Sequence, residues 1–291
     1  MSAVSESMNR RMTLGLLASR YGFDLDPTSA AEVTITSIAD DVESVRPGAL
    51  FVPSADVDVH QLSQAQEQGA YGAIVPHALR GQTDDIQIPL IYAEPTMGQL
   101  GKLVSDMAGN PSDALAVFAI TGKNREIVES EVRNLADFLH MLGNPVAVIT
   151  ASGSTSMTRT MNLNYPLGIL DMQRALSVCA EDGVAAVIIA MDDRTLAEHA
   201  LESVNVDVLG TEDVNASASL NELKTRYAFV AEHDMSMTSS TPESDEMAAD
   251  SPAMYDRVRL GHMSLAIAMV LAAGVRKNNI RSALHVANNL N

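Results

Sequence analysis

The feature that most constrains the fold is a wholly apolar run of six residues that leads through a short turn into an amphipathic helix. The run spans residues 115–120, the turn spans 121–124, and the helix is predicted over 126–142. Continuous apolar character is typical of a parallel strand that is buried on both faces. The helix repeats its apolar residues at spacings of three and four, which predicts one buried face. The junction therefore predicts an α/β unit built on a parallel sheet.

Strand and helix patterns alternate through the rest of the chain. Strands are predicted at 33–38, 49–52, 73–76, 90–92, 146–149, 184–189, 206–209 and 228–230, and helices at 12–23, 61–68, 97–108, 170–181 and 261–273. A length of 291 residues suits about two domains. We expect an α/β protein with a small N-terminal α/β domain at 1–112 and a P-loop-like central α/β domain, with a mainly parallel sheet, at 113–291. Residues 236–252 are rich in Ser, Thr and acidic residues and are predicted to form a mobile surface loop.

The chain is strongly acidic, and this excludes several classes of function. It carries 19 Lys and Arg against 37 Asp and Glu, a net charge of −18, and it has no Trp. A field of that sign repels nucleic-acid phosphates and anionic lipids, so we expect no nucleic-acid partner and no membrane binding. The single cysteine, Cys179, and the lack of a signal-peptide pattern predict a cytoplasmic protein. Basic residues gather after position 255, either as a solvated face or as a patch that docks a protein partner or a second copy of the chain.

The turn after the apolar strand has the context of a phosphate-binding loop but not its residues. A strand followed by a loop and a helix is the setting in which backbone amides and a helix N-terminus bind phosphate. A working loop places glycine and then Lys-Thr or Lys-Ser at the start of the helix. Here these places hold Arg125, Glu126 and Ile127.

Together with several other segments, this junction resembles the Mur ligase family, in its branch that adds the third amino acid to UDP-N-acetylmuramoyl-dipeptide. The likeness rests on Thr121, Gly122 and Asn124 in the loop, and on residues 35–48, 50–52, 58–60, 69–75 and 265–275. It covers nearly the whole chain and implies the family's N-terminal UDP-binding domain and its central ATPase domain. It also implies that the family's C-terminal ligase domain is absent, because the chain ends at Asn291, where that domain would begin.

The departures from the family pattern imply that its nucleotide chemistry is lost. Glu126 falls where the family has its phosphate-binding lysine, Ile127 lacks the hydroxyl that binds magnesium, and Ala190 replaces the magnesium-binding glutamate. Lys123 and Arg125 are the alternative means of holding an anion. We therefore predict a degenerate nucleotide loop at 121–126, no catalytic residues, no metal at the family's position, and no bound ATP or magnesium.

In the N-terminal domain, Asp41, Glu43 and His60 are candidate remnants of a UDP-sugar site. The family's Asp-Ser-Arg becomes Asp41, Val42 and Glu43, which loses a hydroxyl and reverses a charge. A lone histidine and a turn aspartate are also common structural residues. Whether a small-molecule ligand binds in this domain therefore stays open.

Five residues of the central domain receive other interpretations. Asp192 and Asp193 are predicted to be the N-cap and first-turn pair of a helix, with a substitute metal site as the alternative. Lys224 is predicted to lie on the surface, and Cys179 to be a small buried apolar residue. The resemblance places His262 where the family has an asparagine of its adenine pocket.

Three functions are compatible with these observations. The first is a catalytically inactive Mur ligase-like protein, related to peptidoglycan precursor synthesis, that acts as a scaffold or regulator through a protein partner or as a homo-oligomer. The second is a module that binds a UDP-muramoyl precursor or another nucleotide sugar. The third is an ATP-dependent ligase completed by a separate subunit.

Overall fold

The computed structural model describes residues 12–53, 57–212, 219–232, 235, 237–251 and 256–290. The chain divides into two compact units, Met1–Gly109 (unit 1) and Asn110–Asn291 (unit 2), whereas the sequence places the boundary after Ser112. Each unit is built on a mainly parallel sheet, so the predicted fold class is confirmed. Within the described ranges, no helix combines the length and the apolar character needed to cross a membrane.

The described residues of unit 1 form a five-stranded sheet and three α-helices. Its strands are β1 (Asp24–Asp26), β2 (Ser37–Ala39), β3 (Ala49–Phe51), β4 (Gly72–Val75) and β5 (Leu90–Tyr92), in the order β1-β5-β4-β3-β2. Strands β2 to β5 are parallel, and β1 pairs antiparallel with β5 at the edge. The helices are α1 (Leu14–Tyr21), α2 (Val59–Glu67) and α3 (Met97–Met107). Helices α2 and α3 begin at reciprocal capping pairs, Asp58 with Gln61 and Thr96 with Gln99, which satisfy the first free amides of each helix.

Unit 2 contains a seven-stranded sheet in the order β12-β11-β6-β10-β7-β8-β9. Its strands are β6 (Ala116–Thr121), β7 (Val146–Ile149), β8 (Ser154–Ser156), β9 (Arg159–Met161), β10 (Ala186–Ala190), β11 (Val208–Thr211) and β12 (Met237–Thr238). Its helices are α4 (Arg125–Met141), α5 (Ile169–Glu181), α6 (Ser219–Tyr227), α7 (Pro242–Ala249), α8 (Arg257–Ala272) and α9 (Lys277–Leu290). The five strands from β12 to β7 are parallel, and β8 and β9 extend the sheet as antiparallel strands. The carboxyl ends of the parallel strands therefore meet at one edge.

The central strand β6 separates two hydrophobic cores. Val117 and Ala119 belong to a core shared with α5, whereas Phe118 and Ile120 belong to a core shared with α4 and α8. All four side chains are at most 2% exposed. The wholly apolar character of this strand thus reflects burial on both faces, and it confirms the prediction made from residues 115–120.

Most of residues 237–251 belong to strand β12 and helix α7, so the predicted surface loop at 236–252 is wrong for those residues. Strand β12 pairs with β11, and α7 begins at Thr241, which forms a capping box with Ser244 and is followed by Pro242 at the first helical position. Serine, threonine and proline at these places start a helix as readily as they form a loop. Residues 236 and 252 lie outside the described part of the chain.

Two predicted strands are shorter or absent, and besides α7 the helices α6 and α9 were not predicted. Only residues 37–39 of the strand predicted at 33–38 enter the sheet, as β2. Of residues 228–230, only Val230 makes a bridge, to Asn205. Helix α9 was not predicted, although Ile280 and Leu284 lie four positions apart and give it a buried apolar face.

Candidate functional site at the carboxyl edge of the larger sheet

The loop that sequence analysis identified lies at the carboxyl end of β6. The Thr121 hydroxyl donates to the carbonyl of Met191, which follows the neighbouring strand β10 (3.3 Å). Asn124 is the N-cap of α4, and its side-chain oxygen accepts from the backbone amide of Glu126 (3.0 Å). Residues 122–126 are exposed. The structure thus has the strand, turn and helix that the sequence predicts here, and the acidic side chain of Glu126 lies in the first turn of α4.

The end of the neighbouring strand β10 also lacks a metal-binding side chain. Ala190 is its last residue, pairs with Ile120 in the register, and is fully buried. Asp192 accepts from the backbone amides of Arg194 and Thr195 (2.8 and 3.0 Å). It therefore caps a turn, and the prediction that it caps a helix is wrong because no helix follows this turn. 

Asp193, the neighbouring aspartate, does not share that capping role. Its carboxylate accepts from the hydroxyl of Tyr227 (2.9 Å) and pairs with Arg226 (2.8 Å). It thus ties the loop after β10 to the end of α6, and both aspartates have structural partners.

A cavity of about 530 Å³ lies against this edge of the sheet. It is bounded by the first turns of α4, the start of α8 and the residues that follow β11 and β12. Its lining residues are Glu126, Ile127, Ser130, Glu131, Glu212, Ser239, Ser240, Val258, Gly261, His262 and Leu265. Three of these are glutamates and none of them is Lys or Arg. The cavity is therefore acidic, and it contains Glu126 of the degenerate loop and the adjacent Ile127.

Three titratable side chains meet inside this cavity. The Oε1 atom of Glu131, on α4, lies 2.6 Å from Nδ1 of His262, on α8, and the two side chains are only 3% and 12% exposed. Glu212, directly after β11, brings a third group, and one ligand atom from each residue lies within 4.8 Å of the others. Burial raises the pKa of the Glu131 carboxyl to about 7. His262 lowers this pKa through its hydrogen bond and its charge, and the Glu212 carboxylate raises it further.

Sequence analysis did not identify this cluster. Glu131 and His262 are 131 positions apart, and the family resemblance gave only a place in the adenine pocket for His262. One signal was present in the sequence: Glu131 adjoins Val132 on the apolar stripe of α4, and a charged residue at such a place is rarely buried without a partner.

The residues predicted in unit 1 lie in a turn and at the start of a helix. The Asp41 carboxylate accepts from the backbone amide of Ser44 (2.7 Å), which is a turn-forming bond. Glu43 is exposed, and its carbonyl accepts from Arg46 (2.7 Å). His60 is an exposed residue in the first turn of α2.

The remaining single-residue interpretations concern Cys179 and Lys224. The Cys179 thiol is fully buried, as predicted, and burial raises its pKa to about 11. Lys224 is half-buried, and its ammonium group lies 5.9 Å from the ring centre of Phe229, so it is less exposed than predicted.

A larger cavity of about 710 Å³ lies on the other side of α4, beside β7 and β8. Its lining includes Arg133, Asp137 and His140, together with Val146 and Val148 of β7. It contains neither the predicted loop nor a buried titratable cluster. We therefore place the candidate site in the smaller cavity.

Comparison with known proteins gives partial-length matches. No family model matches the chain. It is 28% identical over 210 residues to the UDP-N-acetylmuramoyl-L-alanyl-D-glutamate--2,6-diaminopimelate ligase of Xanthomonas campestris pv. campestris (strain 8004), covering 69% of this chain and 40% of that enzyme. The enzyme of the same name from Xylella fastidiosa (strain Temecula1) is 27% identical over 191 residues, covering 63% and 37%. The chain thus spans well under half the length of these relatives.

Solved structures match nearly all of the chain. A structure of a UDP-N-acetylmuramoyl-L-alanyl-D-glutamate--2,6-diaminopimelate ligase aligns with 96% of this chain and 66% of its own, at a TM-score of 0.61 and 10% identity. A crystal structure of MurF from Acinetobacter baumannii aligns with 95% and 68%, at a TM-score of 0.54 and 14% identity. At such identities the structural likeness establishes the fold.

Proposed function

We propose that this chain, a partial-length relative of the Mur ligases, does not carry out ATP-dependent ligation and acts instead as a scaffold or regulator in peptidoglycan precursor synthesis. The observation that carries the proposal is Glu126, an acidic side chain in the first turn of the helix that follows the central strand. In the family this is the place of the lysine that binds phosphate. The resemblance of 121–126 to that loop therefore places an anion where a cation is needed.

The magnitude of this change is large. Two unit charges of the same sign at about 4 Å repel by roughly 4 kcal/mol at an effective dielectric constant near 20, and a similar attraction is lost with the lysine. Even half of that sum lowers affinity by about a thousandfold. Glu126 also complements the positive end of the α4 dipole, which is the part that a phosphate would play.

The surrounding residues do not fit a magnesium–nucleotide complex. Ile127 and Ala190 offer no side-chain oxygen at the two places where the resemblance expects magnesium ligands, and Ala190 is fully buried. Glu131 and Glu212 add carboxylates to the same cavity, and neither Lys nor Arg is among the described residues that line it. A polyphosphate would enter a field of its own sign. Two cations of the loop, Lys123 in the turn and Arg125 at the start of α4, favour anion binding and so argue against the proposal.

Calorimetry with MgATP tests the nucleotide part of the proposal. We expect no saturable heat from the wild-type chain at nucleotide concentrations of about 1 mM, the weak end of specific binding. A variant with Arg125→Gly, Glu126→Lys and Ile127→Thr rebuilds the family's loop and serves as the matched control, which should gain measurable heat. A micromolar Kd for the wild-type chain would overturn the proposal and favour the ligase hypothesis.

The scaffold role requires a protein partner or a second copy of the chain. Analytical ultracentrifugation of the purified chain, alone and with a catalytically active Mur ligase, would detect either self-association or a mixed complex. Sedimentation as a monomer in both experiments would contradict the scaffold role.

Nucleotide-sugar binding in unit 1 remains a separate prediction from the sequence. The engagement of Asp41 by Ser44 and the negative charge of Glu43 argue against it. A titration with UDP-N-acetylmuramoyl-dipeptide tests it directly, and tight one-to-one binding that His60→Ala weakens would revive it.

A further inference from the structure

We propose that Glu131, Glu212 and His262 form a binding site for one divalent transition-metal ion, for which Zn²⁺ is the best match. The site lies beyond the proposed function, because it involves neither a nucleotide nor a residue of the family's magnesium motifs. It is built from three elements that are distant in sequence: α4, the end of β11 and α8.

The geometry suits a single ion. One ligand atom from each residue lies within 4.8 Å of the other two. Ligands at about 2.0–2.2 Å around a tetrahedral zinc ion are separated by roughly 3.4 Å from one another. The 2.6 Å contact between Glu131 and His262 would lengthen by about 1 Å to admit the ion, and the separations from Glu212, which are at most 4.8 Å, would adjust to about 3.4 Å.

The charge of the cluster also calls for a cation. Two carboxylates share a partly buried space with one imidazole, so the group remains negative even when His262 is protonated and both glutamates are ionised. Glu131 is 3% exposed, and a carboxylate removed from water in this way requires a counter-charge or a proton. Among the described residues that line the cavity, His262 is the one basic side chain. A divalent ion would balance the two carboxylates.

The donor atoms select the class of metal. An imidazole nitrogen favours zinc and the other late first-row metals, whereas magnesium and calcium prefer oxygen donors alone. The three side chains leave a fourth position open toward the 530 Å³ cavity, where water can complete the coordination. The expected order of affinity is therefore Zn²⁺ above Mn²⁺, with Mg²⁺ weakest.

Titration of the metal-free chain with Zn²⁺, Mn²⁺ and Mg²⁺, without nucleotide, tests the site. Isothermal calorimetry and equilibrium dialysis give the stoichiometry and the Kd. We expect one Zn²⁺ per chain, and a loss of at least about tenfold in affinity for Glu131→Gln and for Glu212→Gln, since even the loss of an outer partner of a metal ligand commonly costs 10–100-fold. Glu212 is exposed, so its variant should fold even if the buried substitution disturbs the core.

Glu126→Gln is the matched control, because it removes a carboxylate from the same cavity without removing a proposed ligand. It should leave Zn²⁺ affinity close to that of the wild type. Absence of one-to-one Zn²⁺ binding would overturn the proposal. The two carboxylates would then share a proton instead of a metal ion. Binding that survives both ligand substitutions would also overturn it, because the ion would then sit on other histidines. Neither result bears on MgATP, so the two proposals fail separately.

Discussion

Replacing Glu131 by glutamine would isolate the free energy of burying one carboxylate beneath α8. The amide keeps the shape of the side chain and a hydrogen bond to His262, but it does not titrate. In the wild-type chain the folded pKa of Glu131 is about 7, raised by burial from an ordinary value of 4.5. Between these two values the folded protein holds a proton that the unfolded chain has released. The free energy of unfolding therefore falls as pH rises from 4.5 to about 7, and the loss is complete above that pH.

The magnitude follows from the same two values. A tenfold change in a proton-binding constant is worth about 1.4 kcal/mol, so the whole pH-dependent loss is roughly 3 kcal/mol. Measurements should stay above the isoelectric point of about 4.6, where an acidic protein is least soluble. Between about pH 5.5 and about pH 8 the loss should be about 2 kcal/mol. Over the same pH interval, the free energy of unfolding of Glu131→Gln relative to that of the wild type should therefore rise by about 2 kcal/mol.

Urea unfolding in the presence of EDTA, followed by far-ultraviolet circular dichroism, measures this difference. The chain has no Trp, so helix content is the practical signal. Because Glu131 lies in unit 2, an unfolding transition that belongs to unit 1 would serve as an internal reference. Glu126→Gln is the control, because the Glu126 carboxylate is exposed to water. The difference in the free energy of unfolding between this variant and the wild type should stay nearly constant over the same pH interval. A flat or opposite pH dependence for Glu131→Gln would refute the burial argument.

Three further predictions concern packing and local structure in unit 2. Cys179 is fully buried with a pKa raised to about 11, so it should not react with iodoacetamide near pH 8 in the native chain and should react once the chain is unfolded in urea. Thr241→Ala removes the cap of α7 and should lower the free energy of unfolding by about 1 kcal/mol in urea titrations, whereas Thr241→Ser should leave it nearly unchanged. A Cβ atom at Gly210 would lie 2.3 Å from Sδ of Met269, so Gly210→Ala should lower the free energy of unfolding by about 1–3 kcal/mol. In a chain that also carries Met269→Ala, the same substitution should cost less. Equal losses in the two backgrounds would contradict the steric cause.

The sequence predicted the parts of the fold in which local pattern and burial agree. The strand β6 and the helix α4 were recognisable because each carries its burial pattern in consecutive residues. The family resemblance extended this to both units, and the comparisons confirm it. Residues 237–251 were misread because their Ser and Thr residues bind backbone amides within a helix cap, and composition does not distinguish this from a loop.

The candidate site was only half predictable. Glu126 and Ala190 follow from the order of residues in two motifs, so the sequence gives their places. The contact between Glu131 and His262 depends instead on the packing of α8 across α4, and no spacing in the sequence encodes it. Glu212 reaches the same point only because β11 lies beside β6 in the sheet. Long-range topology therefore decides which groups meet in the cavity.

The packing of α8 against α4 also has a consequence for how the chain is made. The two helices cover the same face of the sheet, and the contact between Glu131 and His262 spans 131 positions. At roughly 5–20 residues per second, a ribosome needs on the order of ten seconds to pass from one to the other. During that interval α4 and the strand β6 have been synthesised without the helix that completes their core. The nascent chain thus presents Phe118 and Ile120 without their final cover until α8 has emerged, and such transiently exposed apolar surface favours aggregation.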